Sequence, residues 1–191
     1  MPLGEPVPSP HLTPHSPVLQ VAWQTLALLT DPEIPVVTLQ DMGILREVRE
    51  LENGEGNALE VVITPTYSGC PAMDQIRDDI TNALARVGVL ATVTTRLAPA
   101  WTTDWISPDA RDKLRAYGIA PPGRATPCTA GRPADTQVLR FVREAAQPQD
   151  VPCPRCGSHH TVERSPFGST ACKALYQCLD CREPFDYFKP I

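Results

Sequence analysis

The sequence predicts an α+β protein: a small helix–strand–strand–helix–strand sheet domain, then a C-terminal four-cysteine module of zinc-ribbon type. Three observations lead there. Apolar residues recur at helical spacing in two segments, residues 18–29 and 76–87. Strand-like runs at 44–51 and 58–66 flank the turn sequence Asn53-Gly54-Glu55-Gly56, and a third run at 90–99 follows the second helix. The tail carries two Cys-x-x-C pairs, Cys153/Cys156 and Cys178/Cys181.

In chain order, residues 1–15 are proline-rich and expected to be a disordered leader, with His11 and His15 solvated. Ser16 suits a helix N-cap and Pro17 a first helical turn. Val18, Val21, Ala22, Leu26 and Leu29 then line one face, and Pro32 and Pro35 are expected to end the helix. Asp31 and Glu33 lie on that proline-braced segment. If it is extended, both carboxylates share a face; the plain alternative is a pair of solvated acids. In the second helix Ile76, Ile80, Ala83, Leu84 and Val87 form the apolar stripe, and Gly88 closes it. Cys70 falls in the loop that enters this helix. Backbone amides and the helix dipole there are expected to depress its pKa.

After the third strand come Trp101 and Trp105, then a helix capped by Ser107, opened by Pro108 and Asp109 and closed by Gly118. The domain is expected to span residues 16–119. Residues 120–150, proline- and glycine-punctuated, are expected to be a linker; it holds an apolar patch at 138–146 and Cys128, to which no role is assigned.

Residues 151–191 carry the strongest chemical signal. Two residues between cysteines let one tight turn aim both sulfurs at one ion, and Pro154 and Gly157 suit such a turn. Two facing turns supply four thiolates, a donor set for Zn²⁺. Strands at 160–165 and 173–178, joined through residues 165–170, would bring the pairs together. Four cysteines can also hold an iron–sulfur cluster. Disulfides fit less well, because the cysteines number seven and no secretory pattern precedes them. A redox Cys-x-x-C would sit near a βαβ unit. Cys172 is a fifth nearby thiol, read as a small buried residue or as a substitute ligand for the tail metal. His159 and His160 are read as a solvent-facing turn.

The chain has 191 residues, a formal net charge of −5 and 22 prolines. The acidic balance disfavours nucleic acid as a partner. No apolar run approaches a bilayer span, and the N-terminal residues lack the pattern of a targeting peptide, so a cytoplasmic protein with reduced cysteines is expected.

The segments DPEIPVVTLQDMGI, ITPTYSGCPAM, LAPAWTTDWIS, GIAPP, FGSTACKALYQC and EPFDYFK resemble the PaaD (PaaJ) subunits of phenylacetyl-CoA epoxidase, the phenylacetate-CoA oxygenase. The resemblance runs from about Val18 to the C-terminus, omitting the leader and residues 123–150. The first half is also similar to metal–sulfur cluster assembly proteins. The resemblance implies a non-catalytic subunit of a multicomponent monooxygenase, acting in maturation of a di-iron oxygenase core or its flavin and iron–sulfur reductase. Those core and reductase subunits are then its partners. It implies that Cys70 carries a transient iron or iron–sulfur centre. It also moves Asp31 and Glu33 from solvated acids to parts of that site. The alternatives are a zinc-ribbon scaffold that stays in the complex, a nucleic-acid-binding ribbon, and a thiol enzyme using Cys70. The sheet domain holds no histidine to serve such a nucleophile as base.

Overall fold

A computed structural model describes residues 16–51, 58–123 and 150–190. The leader, the expected hairpin turn, Cys128 and the patch at 138–146 lie outside the described residues.

Helix α1 covers Pro17–Leu26, and Ser16 caps it by accepting the Val18 N–H. The helix ends well before Pro32. The Leu29 carbonyl accepts the Leu39 N–H, and Thr30 forms an isolated bridge with Thr38. Those pairings draw the chain out of the helix, so tertiary contact, not proline, sets its end. Strands β1 (Leu45–Glu50) and β2 (Ala58–Ile63) pair antiparallel, as their alternation predicts. Helix α2 (Met73–Arg86) crosses over to β3 (Leu90–Thr95), which pairs parallel with β2, giving the order β1-β2-β3. Ala22 and Leu26 of α1 and Ile76, Ile80 and Leu84 of α2 bury against Val48, Leu59, Val61 and Ile63 of the sheet. Removing such a buried side chain to alanine costs about 2–5 kcal/mol.

Helix α3 spans Pro108–Tyr117, capped by Ser107 accepting the Ala110 N–H and ended by Gly118 at φ +102°. The next two residues form β4 (Ile119–Ala120). It joins β5 (Thr161–Ser165), β6 (Lys173–Cys178) and β7 (Pro184–Phe188) in a second sheet of order β4-β7-β6-β5. The spacing of the tail predicts β5 and β6. It does not single out β7, whose Phe185 and Tyr187 are buried, or β4, which is too short to carry a pattern.

The second sheet does not hang free. Phe188 and Cys172 are buried within the core of the first module. Trp101, itself buried, donates its indole N–H to the Met42 carbonyl at 2.9 Å and packs on Phe188. Gly118 lies so close to Arg155 that a Cβ there would fall 2.7 Å from its guanidinium. The architecture is α+β with a docked four-cysteine ribbon. Among the described residues, no helix is long and apolar enough to cross a membrane.

Candidate functional site

The four tail cysteines converge as their spacing predicts. All four sulfurs lie within 4.8 Å of one another. Cys153 Sγ is 3.8 Å from Cys181 Sγ, and Cys156 Sγ is 3.6 Å from Cys178 Sγ. A regular tetrahedron with metal–sulfur bonds of about 2.3 Å has edges of about 3.8 Å, so the donor set fits Zn²⁺. Each knuckle is closed by a residue in the left-handed region immediately after its second cysteine, Gly157 at φ +75° and Arg182 at φ +67°. The Gly157 N–H donates to the Cys153 carbonyl at 2.9 Å, and the Cys181 N–H reaches Cys178 Sγ at 3.5 Å. The Cys181 amide, with that of Asp180, pulls the Cys178 thiol down to about 6, whereas Cys156 and Cys181 are pushed up by burial and by the neighbouring sulfurs. His159 and His160 are exposed and pair with Asp150 and Asp180 instead of joining the sulfurs.

The second constellation is a cleft where the two modules meet. It is lined by Asp31, Glu33, Tyr67, Cys70, Thr170 and Cys172, with apolar neighbours that include Ile34, Ile76 and Phe188. Sequence reasoning placed the first, second and fourth of these together through the resemblance. It read Cys172 as a small buried residue, which it is, or as a substitute ligand for the tail metal; the fold places it instead on the cleft that Cys70 lines.

Cys70 is half-buried on a tight loop: its N–H donates to the Tyr67 carbonyl at 3.2 Å, and its own carbonyl accepts the Met73 N–H at 3.4 Å. The Ala72 amide does stabilise the thiolate, as the helix entry predicts. Burial outweighs it, and Asp31, Cys172 and Glu33 add negative charge nearby, so the thiol is pushed up, not down. The expected depressed pKa is therefore corrected: helix position was legible, but the apolar and acidic surroundings were not.

Asp31 and Glu33 do not lie on an extended strand. Asp31 Oδ1 accepts the Glu33 N–H at 2.7 Å and the Ile34 N–H at 3.1 Å, folding the segment into a turn. Asp31 is 8% exposed, and Glu33 is exposed at the cleft rim. Burial raises the Asp31 carboxyl pKa against the pull of those two amides. Cys172 is buried just before β6, with its sulfur 3.0 Å from Thr170 Oγ1, and burial raises it as well. Lys173, 4% exposed, is the nearby cation acting on both Asp31 and Cys172.

Comparison with known proteins bears on both sites. A protein of Escherichia coli (strain K12), provisionally named as a component of 1,2-phenylacetyl-CoA epoxidase, is 47% identical over 176 residues, or 92% of this chain and 94% of the relative. The chain belongs to the PaaD family. The model of the PaaD zinc beta ribbon domain matches residues 140–189, which include all four ribbon cysteines and Cys172. The family model described as iron-sulfur cluster assembly protein matches residues 19–95, which include Asp31, Glu33 and Cys70. Among solved structures, a domain of unknown function (DUF59) from Bacillus anthracis is 26% identical. It covers 50% of this chain and 89% of its own, with a TM-score of 0.43. A Mycobacterium tuberculosis protein, titled as associated with Fe-S complex assembly and repair, is 26% identical. It covers 59% of this chain and 98% of its own, with a TM-score of 0.35.

Proposed function

We propose that this chain is an accessory subunit of a phenylacetyl-CoA epoxidase system and acts in its maturation. In this reading it delivers iron, or an iron–sulfur centre, to the oxygenase core or its reductase. The observation that carries the reading is the cleft: a half-buried cysteine beside a buried carboxylate, at the entrance to a helix, in the part of the chain that matches the cluster-assembly model. Cys70 is the carrier thiol. Asp31 ligates the cargo or orients the cysteine, and Glu33 at the rim meets the ion first. Loading exchanges the thiol proton for the metal, so the raised affinity of Cys70 for its proton keeps the empty site quiet and favours release. The same shift argues against a thiol nucleophile working near neutral pH.

The ribbon cysteines Cys153, Cys156, Cys178 and Cys181 hold the resident metal, which we assign as zinc. Bound there, zinc supplies structure and no reaction step. It fixes the two knuckles and so the strand that delivers Phe188 to the first module. The partners are the core and reductase subunits, met in the cytoplasm.

The test is co-expression of core and reductase with either wild-type chain or Cys70→Ser, followed by anaerobic purification and iron and sulfide analysis. The serine variant is expected to fold and keep its ribbon metal, yet to yield client protein short of iron or cluster. Fully loaded client in its presence would overturn the reading.

A further inference from the structure

We propose that Cys172 is a second sulfur ligand for the cargo, so that Cys70, Cys172 and Asp31 form one single-ion site completed by the docked ribbon. The inference rests on the reading of Cys70 as a carrier and extends it to a residue from the other module.

Asp31 first marks the cleft as a cation site. It is 8% exposed, and both of its amide partners use Oδ1. Oδ2 makes no hydrogen bond among the described residues, yet the residue lines the cleft. That oxygen is not among the sealed, unpartnered atoms of the described residues, so it is open at the cleft to a cation or a proton. Two thiols line the same space, Cys70 from the loop before α2 and Cys172 from the loop before β6. A divalent ion balances two thiolates, and the buried Lys173 ammonium, which also pairs with Asp186 at 3.6 Å, offsets part of the Asp31 charge. That mixed donor set suits a borderline divalent ion such as Fe²⁺.

The free space is small. It measures about 20 Å³, which is room for about one water. A single ion fits it as it stands. Among the described residues only the ribbon cysteines already stand within 4.8 Å of one another as a group of three or more. The cleft ligands must therefore close on their ion, which suits a site that loads and releases. On loading, two metal–sulfur bonds and one metal–oxygen bond form. The two thiol protons, and the Asp31 proton where present, leave to solvent, and nothing is oxidised or reduced.

The experiment uses the full-length, reduced, zinc-loaded chain and Co²⁺ alone as the probe, added anaerobically while the zinc content is followed. Zinc holds the ribbon more tightly than cobalt does, so cobalt reports the cleft. X-ray absorption at the cobalt edge counts the sulfurs around the ion without any mutation, and two are expected. One sulfur overturns the proposal, as do four, which place the ion in the ribbon. In parallel, Cys172→Ser is expected to bind cobalt about tenfold more weakly or worse, with the thiolate-to-cobalt absorbance per bound ion about halved, as one of two thiolate bonds is lost. If Cys172→Ser matches wild type while Cys70→Ser loses the ion, this inference fails and the carrier reading stands. If wild type binds no cobalt beyond its zinc, both fail.

Discussion

Phe188 of β7 packs on Trp101 with ring centroids 5.9 Å apart and planes inclined at 54°, and this contact seats the ribbon over the Cys70 cleft. Phe188→Ala removes a ring that is 1% exposed. It is expected to destabilise the fold by about 3–5 kcal/mol in denaturant unfolding, and to speed alkylation of Cys70 under native conditions. Unchanged Cys70 reactivity in a destabilised variant would mean that the ribbon does not cover the cleft.

Metal removal should act first on the second sheet. Four thiolates without their ion leave the knuckles held by few contacts. A strong chelator is expected to remove one metal ion and strip amide-exchange protection from β5, β6 and β7. The β1-β2-β3 sheet and α2 keep theirs. Uniform loss throughout would show that the first module cannot stand without the ribbon.

Gly118 ends α3 at φ +102° and leaves room for Arg155 of the first knuckle. Gly118→Ala places a Cβ in the left-handed region and is expected to cost about 1–2 kcal/mol, read as a lowered unfolding midpoint. The Arg155 guanidinium is the flexible end of a long side chain and can move aside, so the backbone cost dominates.

Several features were legible in the sequence. Ser16 and Pro17 mark the start of α1, Ser107 and Gly118 bracket α3, and cysteine spacing alone assembles the ribbon site. The end of α1 was not legible, because the Leu39 amide that captures the Leu29 carbonyl comes from outside the helix. Strand β7 left a readable signal in the period-two aromatics Phe185 and Tyr187, masked by the flanking prolines and the nearby knuckle. Cys172 was legible as a small buried residue, but not as part of the Cys70 cleft. Its neighbour Cys70 lies in the other module, and the docking of the ribbon through β4, Phe188 and Trp101 brings the two together.

Cys70 and Cys172 are both pushed up by burial. A thiol whose folded pKa exceeds its unfolded value holds its proton more tightly in the native state. Its stabilisation is full below the unfolded value of about 8.5 and is lost as pH climbs through the folded value. The metal-loaded ribbon protein with an empty cleft is therefore expected to lose stability on the alkaline side of about pH 9. The double variant Cys70→Ala, Cys172→Ala should lose less over that range. Alkylation of Cys70, followed by mass spectrometry against pH, should have its midpoint above about 8.5; a midpoint below would restore the activated thiol expected at a helix entry.

In the proposed function this chain loads the oxygenase and takes no part in turnover. The most direct measurement starts with core and reductase purified from cells that contained the wild-type chain, then stripped of it. Ring epoxidation by the stripped enzyme is the readout, before and after adding back the Cys70→Ser form. The stripped enzyme is expected to remain active, and add-back to change nothing. Loss of epoxidation on stripping, regained at once with Cys70→Ser, would make this chain part of the working enzyme and overturn its role as a loading factor.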